Sequence, residues 1–171
     1  VAEQNQTPLV FMGVQGSGKS TVGRATAGRL GLPFVDGDDL HPVANKAKMA
    51  AGSPLTDTDR GPWLAAIGRT LAEGVEQGEA RVIACSAHKR RYRDLTRSFA
   101  PTVRFDHLAG PQDLIAGRLS RRNHEYMPPG LLDSQFETLE PLEADEAGIR
   151  LDITRSPEGI AGAVVNALAG R

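Results

Sequence analysis

Residues 13–20 read Gly13-Val14-Gln15-Gly16-Ser17-Gly18-Lys19-Ser20. The pattern G-x-x-x-x-G-K-S constrains the fold more than any other feature of the chain, because it works only between a buried strand and a helix. A short apolar run, Leu9-Val10-Phe11-Met12, precedes it, and a helical stretch at 19–30 follows, with Val22, Ala25 and Leu30 on one side. Glycine admits backbone torsions that a side chain forbids, so successive N–H groups can converge on an anion. The positive end of the helix beginning near Lys19 adds to them. Read this way, Gly13, Gly16, Ser17, Gly18, Lys19, Ser20 and Thr21 surround the phosphates of a nucleotide. Lys19 is a catalytic charge at the β- and γ-phosphates, and the Ser20 hydroxyl faces Mg²⁺. A glycine-rich turn with no ligand is the alternative, and the strand–helix context weighs against it. The reaction stays open, since motors, switches and small-molecule kinases share this loop.

Four more short apolar runs follow, at 34–35, 81–86, 103–108 and 151–154, alternating with helical patterns. Strand–helix alternation predicts an α/β fold, a parallel sheet with helices on both faces. Trp63, Leu64, Ile67, Leu71 and Val75 keep a 3.6-residue period, as do Leu114, Ile115 and Leu119. Ser156 and Pro157 open the last helix as N-cap and first residue, with Ile160, Ala161, Val164, Val165 and Leu168 inward. Two irregular stretches, 36–59 and 123–146, are long enough to be binding loops or lids, each with a helical piece, near 43–51 and 131–139.

With 171 residues the chain reads as one domain, 1–171, with a substrate-binding segment at about 36–62 and a lid at about 120–141. A net charge of -1 argues against non-specific attraction to nucleic acid or an anionic membrane. No apolar run reaches transmembrane length. Cys85 is the only cysteine, so no internal disulfide forms. It reads as a small buried hydrophobe, and the expected location is cytoplasmic.

The third apolar run ends in Cys85-Ser86-Ala87 rather than in the acid of a usual Mg²⁺-holding strand, so the acid comes from elsewhere, from Asp36-Gly37-Asp38-Asp39 after the second strand. Strand C-terminal ends are where open α/β sheets bind ligands. Phosphoryl transfer to an alcohol needs an acceptor for the hydroxyl proton, and Asp36 and Asp38 offer one carboxylate for that and another toward Mg²⁺. A solvated Asp-Gly turn is the alternative. Arg60 suits a carboxylate ligand, or pairs with Asp57 or Asp59. Lys89 and Arg93 share a helical face and are the better site candidates among the cations after the third strand. Arg118, Arg121 and Arg122 lie on successive turns and can neutralise charge on a transferring phosphoryl group, or form a solvated basic face. His124 reads as lid surface.

Taken together, these residues resemble the gluconate kinase (gluconokinase) family of the phosphate-loop type. The resemblance runs from about Leu9 to the C-terminus. It is carried by residues 13–20, Asp36-Gly37-Asp38, Leu40-His41-Pro42, Asn45, Lys48-Met49 and Pro54-Leu55. Asp57 with Asp59-Arg60, Pro62-Trp63-Leu64, Cys85-Ser86-Ala87, Lys89, Tyr92-Arg93-Asp94-Leu95 and Gln135-Phe136-Glu137-Thr138-Leu139-Glu140-Pro141 continue it. The resemblance implies a nucleoside-monophosphate-kinase-like fold with a five-stranded parallel sheet in order 2-3-1-4-5 and a helical lid. It implies ATP, Mg²⁺ and D-gluconate as ligands, 6-phosphogluconate as product, and a homodimer. Asp38 is then the base, Asp36 a magnesium-side carboxylate, and Arg60 the grip on the sugar acid, with His41, Lys89, Arg93 and Gln135 also on the substrate. Arg118, Ser156 and Pro157 border the adenine, and Arg121 or Arg122 is the lid cation. Shikimate kinases share the loop and an Asp-x-Asp turn and are the nearest rival. A nucleotide-binding regulatory protein without catalysis is the rival from another class.

Overall fold

The structure, a computed structural model, describes residues 7–122 and 129–170; of 121, 122 and 129–131 only the backbone is described. Five strands, β1 (Leu9–Met12), β2 (Phe34–Asp36), β3 (Val82–Ala84), β4 (Arg104–Ala109) and β5 (Arg150–Asp152), form one sheet. Its order is β2-β3-β1-β4-β5, as the resemblance implies, and every pairing is parallel. Side chains alternate between faces along each strand. Leu9 and Phe11 of β1 enter one core layer, while Val10 and Met12 enter the other. The first layer lies under α1 (Lys19–Leu30) and α7 (Pro157–Ala169), the second under α3 (Asp57–Glu76) and α4 (Arg90–Phe99). The remaining helices are α2 (Val43–Ala50), α5 (Gln112–Arg122) and α6 (Pro129–Thr138).

Local chemistry sets the boundaries. α1 stops where Gly31 takes a left-handed turn with φ 68°, its N–H donating to the Ala27 carbonyl. α3 starts with a capping box between Thr56 and Asp59 and runs through Pro62, an internal residue that cannot supply a helical N–H. Ser156 caps α7 by accepting the Gly159 N–H, with Pro157 next, as the sequence predicts. Two expectations change. The buried face of α1 is Val22, Gly23, Thr26 and Ala27, not Val22, Ala25 and Leu30: small residues let α1 pack closely on the sheet and on α7. β3 ends at Ala84 rather than Ser86 because the chain turns at Ala87, whose φ is 45°. That left-handed turn opens the C-terminal edge of the sheet.

Candidate active site

Between β1 and α1 the loop is wound as its glycines allow. Gly16 and Gly18 hold φ of +83° and +97°, where a side chain is strained. Lys19 folds back over the loop, its Nζ donating to the carbonyls of Gly13 at 2.9 Å and Val14 at 3.0 Å. The Gln15 N–H donates to Oε1 of Gln135 at 2.8 Å. Ser17 is buried within the loop, and among the described residues its hydroxyl has no hydrogen-bond partner.

Beside the loop, β2 ends in the acidic turn. Asp36 accepts the Asp38 N–H at 3.0 Å and caps the short 3₁₀ turn Gly37–Leu40. A Cβ on Gly37 would collide with the Ala84 carbonyl, so this turn lies flush against β3. Asp38 opens into the cavity, yet the surrounding protein strips bulk solvent from its carboxyl and raises it above the ordinary range. Asp36 adds to the shift and Lys19 opposes it. That sensitivity places Lys19 and Asp38 in one electrostatic field.

The cavity holds about 570 Å³, ample for small ligands. Gly16, Gly18, Lys19, Ser20 and Thr21 line one side, with Asp36, Asp38, His41, Arg60 and Gln135 around the rest. His41 is buried and stacked on Trp63 at 4.1 Å, and its Nδ1 lies 3.2 Å from the Asn45 side chain. Burial first, then Arg60 and Lys46, lower its pKa and favour the neutral ring. Trp63 in turn donates to the Gly37 carbonyl at 2.8 Å. Asn45 donates to the Asp59 carbonyl at 2.8 Å, and Lys48 pairs with the Asp59 carboxylate at 2.6 Å. These bonds tie the acidic turn, α2 and the start of α3 into one wall. Arg60 donates to the Leu55 carbonyl at 2.9 Å and stands over the Tyr92 ring.

Several expected site residues fall elsewhere. Arg93 is a correction: it is fully buried, bidentate on Glu146 at 2.6 and 3.0 Å, and bonded to the Ala87 and Pro141 carbonyls. It faces the core because the cavity side of α4 is taken by Tyr92. Lys89 stands off the cavity wall and pairs with Asp57 at 3.5 Å. Arg118 donates to the Ile153 carbonyl at 2.6 Å, three residues before Ser156 caps α7. The side chains of Arg121 and Arg122, and all of 123–128 with His124, lie outside the described residues.

Two cavity residues carried no assigned role in the sequence reading. His88 lies 3.3 Å from the Gly13 carbonyl, and burial pushes its pKa down to about 4. Tyr92 donates to Asp57 and stacks under Arg60, Lys89 and Arg91. Both follow β3, at the sheet edge where ligands gather; that position was the only signal for His88, while Tyr92 also stands in a string that carries the family resemblance. Cys85 is buried at the cavity floor, and desolvation pushes its thiol up to about 12. Iodoacetamide at pH 8 is therefore expected to spare Cys85 in the native protein and label it fully in urea, as mass spectrometry would register.

Among the described residues no three His, Cys, Asp or Glu side chains gather as a metal cage. The Ser20 hydroxyl and the carboxylates of Asp36 and Asp38 are among the oxygens that line the cavity beside the loop. Hard oxygen donors in small number fit Mg²⁺, which keeps waters and takes other ligands from phosphates. Among the described residues no helix is long and apolar enough to cross a membrane.

A glycine cradle at a helix N-terminus, sharing one cavity with an acidic turn and an arginine, defines a phosphate-loop kinase. A family model described as an AAA domain matches residues 9–142, and a gluconokinase of Gluconobacter oxydans is 46% identical over 150 residues, covering 88% of this chain and 84% of its own. The chain belongs to the gluconokinase family. The thermosensitive gluconokinase of Escherichia coli is 45% identical over 146 residues, with 85% of this chain and 78% of its own covered. The crystal structure of a gluconokinase from Sinorhizobium meliloti superimposes with a TM-score of 0.86 at 43% identity, over 96% of this chain and 93% of that one.

Proposed function

We infer that the chain transfers the γ-phosphoryl group of ATP to the terminal hydroxyl of D-gluconate, giving ADP and 6-phospho-D-gluconate. One observation carries this reading: the phosphate loop, the acidic turn and Arg60 line a single cavity in a chain whose relatives are gluconokinases. The loop N–H groups bind the phosphates, and Lys19 leaves its own loop carbonyls to neutralise charge at the β- and γ-positions. Asp38 accepts the hydroxyl proton as the new O–P bond forms and the β–γ bridge breaks. Its raised pKa suits a base. Ser20 and Asp36 would hold Mg²⁺, which would spread charge from the phosphates. Arg60 grips the sugar carboxylate with its planar fork, and His41 orients a hydroxyl through its neutral ring. Arg118, Ser156 and Pro157 flank the adenine, and Arg121 or Arg122 meets the transferring group. A homodimer and a cytoplasmic location complete the reading.

A coupled ADP-release assay with ATP, Mg²⁺ and a panel of acceptors tests it. The expected result is turnover with gluconate well above that with shikimate or adenylyl sulfate. Turnover with either of those and none with gluconate would overturn the substrate assignment.

A further inference from the structure

Asp57 and Arg60 stand at i and i+3 at the start of α3, a spacing at which opposite charges pair readily. They do not touch. Arg60 Nη1 lies 3.9 Å from Asp57 Oδ1, beyond hydrogen-bond range. The Tyr92 hydroxyl comes between them: it donates to Asp57 Oδ1 and accepts a long bond from Arg60 Nη1 at 3.5 Å. A phenol has one proton to give and lone pairs to accept with, so it serves both neighbours at once.

Other cations take up the rest of that carboxylate. Lys89 Nζ lies 3.5 Å from Oδ1, and Arg91 pairs with Oδ2. Arg60 is held instead by the Leu55 carbonyl, 2.9 Å from the same Nη1. Both of these Arg60 bonds start from Nη1, so neither uses the Nε–Nη2 edge, which matches the two oxygens of a carboxylate. Leu55, Arg60 and Tyr92 line the cavity, whereas Asp57 is not on its wall. Without the Tyr92 oxygen, a shift of about 1 Å would bring Arg60 into a direct bond with Asp57.

We propose that Tyr92 is a positioning residue whose hydroxyl occupies Asp57 and so keeps the Arg60 charge on the cavity wall for an acidic acceptor. Asp57 is then a rival for Arg60 and not its support. This rests on Arg60 as the grip on the sugar carboxylate.

The test is a rescue. Tyr92→Phe keeps the ring beside Arg60, Lys89 and Arg91 and deletes the oxygen. Arg60 should close on Asp57, and the KM for gluconate should rise about fivefold, the scale of one net hydrogen bond. kcat and the KM for ATP should hold. Adding Asp57→Asn removes the rival charge, and the double variant should bring the KM for gluconate back to within about twofold of the unsubstituted value. Asp57→Asn alone should not raise it. Steady-state kinetics on the full chain reads all four proteins. A KM untouched by Tyr92→Phe, or a loss that Asp57→Asn deepens, would overturn the proposal. So would a rise with Asp57→Asn alone, however well Tyr92→Phe folds. Arg60→Met separates the two levels. If it leaves the KM for gluconate unchanged, the carboxylate grip falls and the proposal with it; if it raises that KM while Tyr92→Phe does not, only the proposal falls.

Discussion

Asp38→Asn is expected to lower kcat by about 100-fold or more while binding of a non-hydrolysable ATP analogue stays nearly unchanged. The substitution keeps the size of the side chain and the Asp38 N–H, which is the group that Asp36 accepts at 3.0 Å, so the turn survives. It removes the carboxylate that takes the hydroxyl proton. The nucleotide keeps the loop N–H groups and Lys19. The acid limb of the pH–kcat profile is expected above the ordinary aspartate range, because burial and Asp36 raise Asp38 more than Lys19 lowers it, and that limb should vanish in the variant. Steady-state kinetics with calorimetry reads both. An unchanged kcat would remove Asp38 from the proton transfer.

Glu146→Ala is expected to destabilise the fold by about 3–5 kcal/mol, because it leaves the Arg93 guanidinium buried without its counter-charge. Both side chains are wholly shielded from solvent. In a chain of this size that corresponds to a fall in Tm of roughly 6–20 °C. Burial alone would raise the Glu146 carboxyl; hydrogen bonds from Arg93, the Glu143 N–H and Arg97 overcome it and bring the pKa down from 4.5 to about 2. Because the folded value is the depressed one, this stabilisation is present above pH 4.5 and is lost as the pH falls toward about 2. Replacing both partners with apolar residues, Arg93→Met with Glu146→Leu, should cost much less than the single change. Thermal melts of the two proteins decide it, and equal losses would contradict the burial argument. The pair also bears on the site: Arg93 donates to the Ala87 carbonyl at 3.0 Å, holding the left-handed turn between Ser86 and His88 on the cavity wall.

How far the sequence foretells this depends on how local each feature is. The phosphate loop, α1 and the capped start of α7 follow from contiguous residues whose torsions and caps have one natural solution, and the structure has them at the expected positions. The strands are legible as apolar runs, though β3 and β5 are short and their ends slide by one or two residues. Arg93 misleads because its partner lies 53 residues on, and nothing in the string Lys89-Arg90-Arg91-Tyr92-Arg93 says which cation turns inward. Gln135 carries the right motif, but its contact with Gln15 arises only when α6 folds over the loop. His88 and Tyr92 lack any spacing signal; β3 delivers them to the cavity.

Co-crystals with a non-hydrolysable ATP analogue, Mg²⁺ and D-gluconate probe the proposed transfer most directly. The terminal hydroxyl of gluconate should lie within hydrogen-bond reach of the Asp38 carboxylate, about 2.6–3.2 Å. Its oxygen should face the γ-phosphorus at about 3–3.5 Å, in line with the bridging oxygen. An Asp38 side chain turned out of the cavity, or gluconate bound with its carboxylate toward the phosphates, would contradict the proposed chemistry.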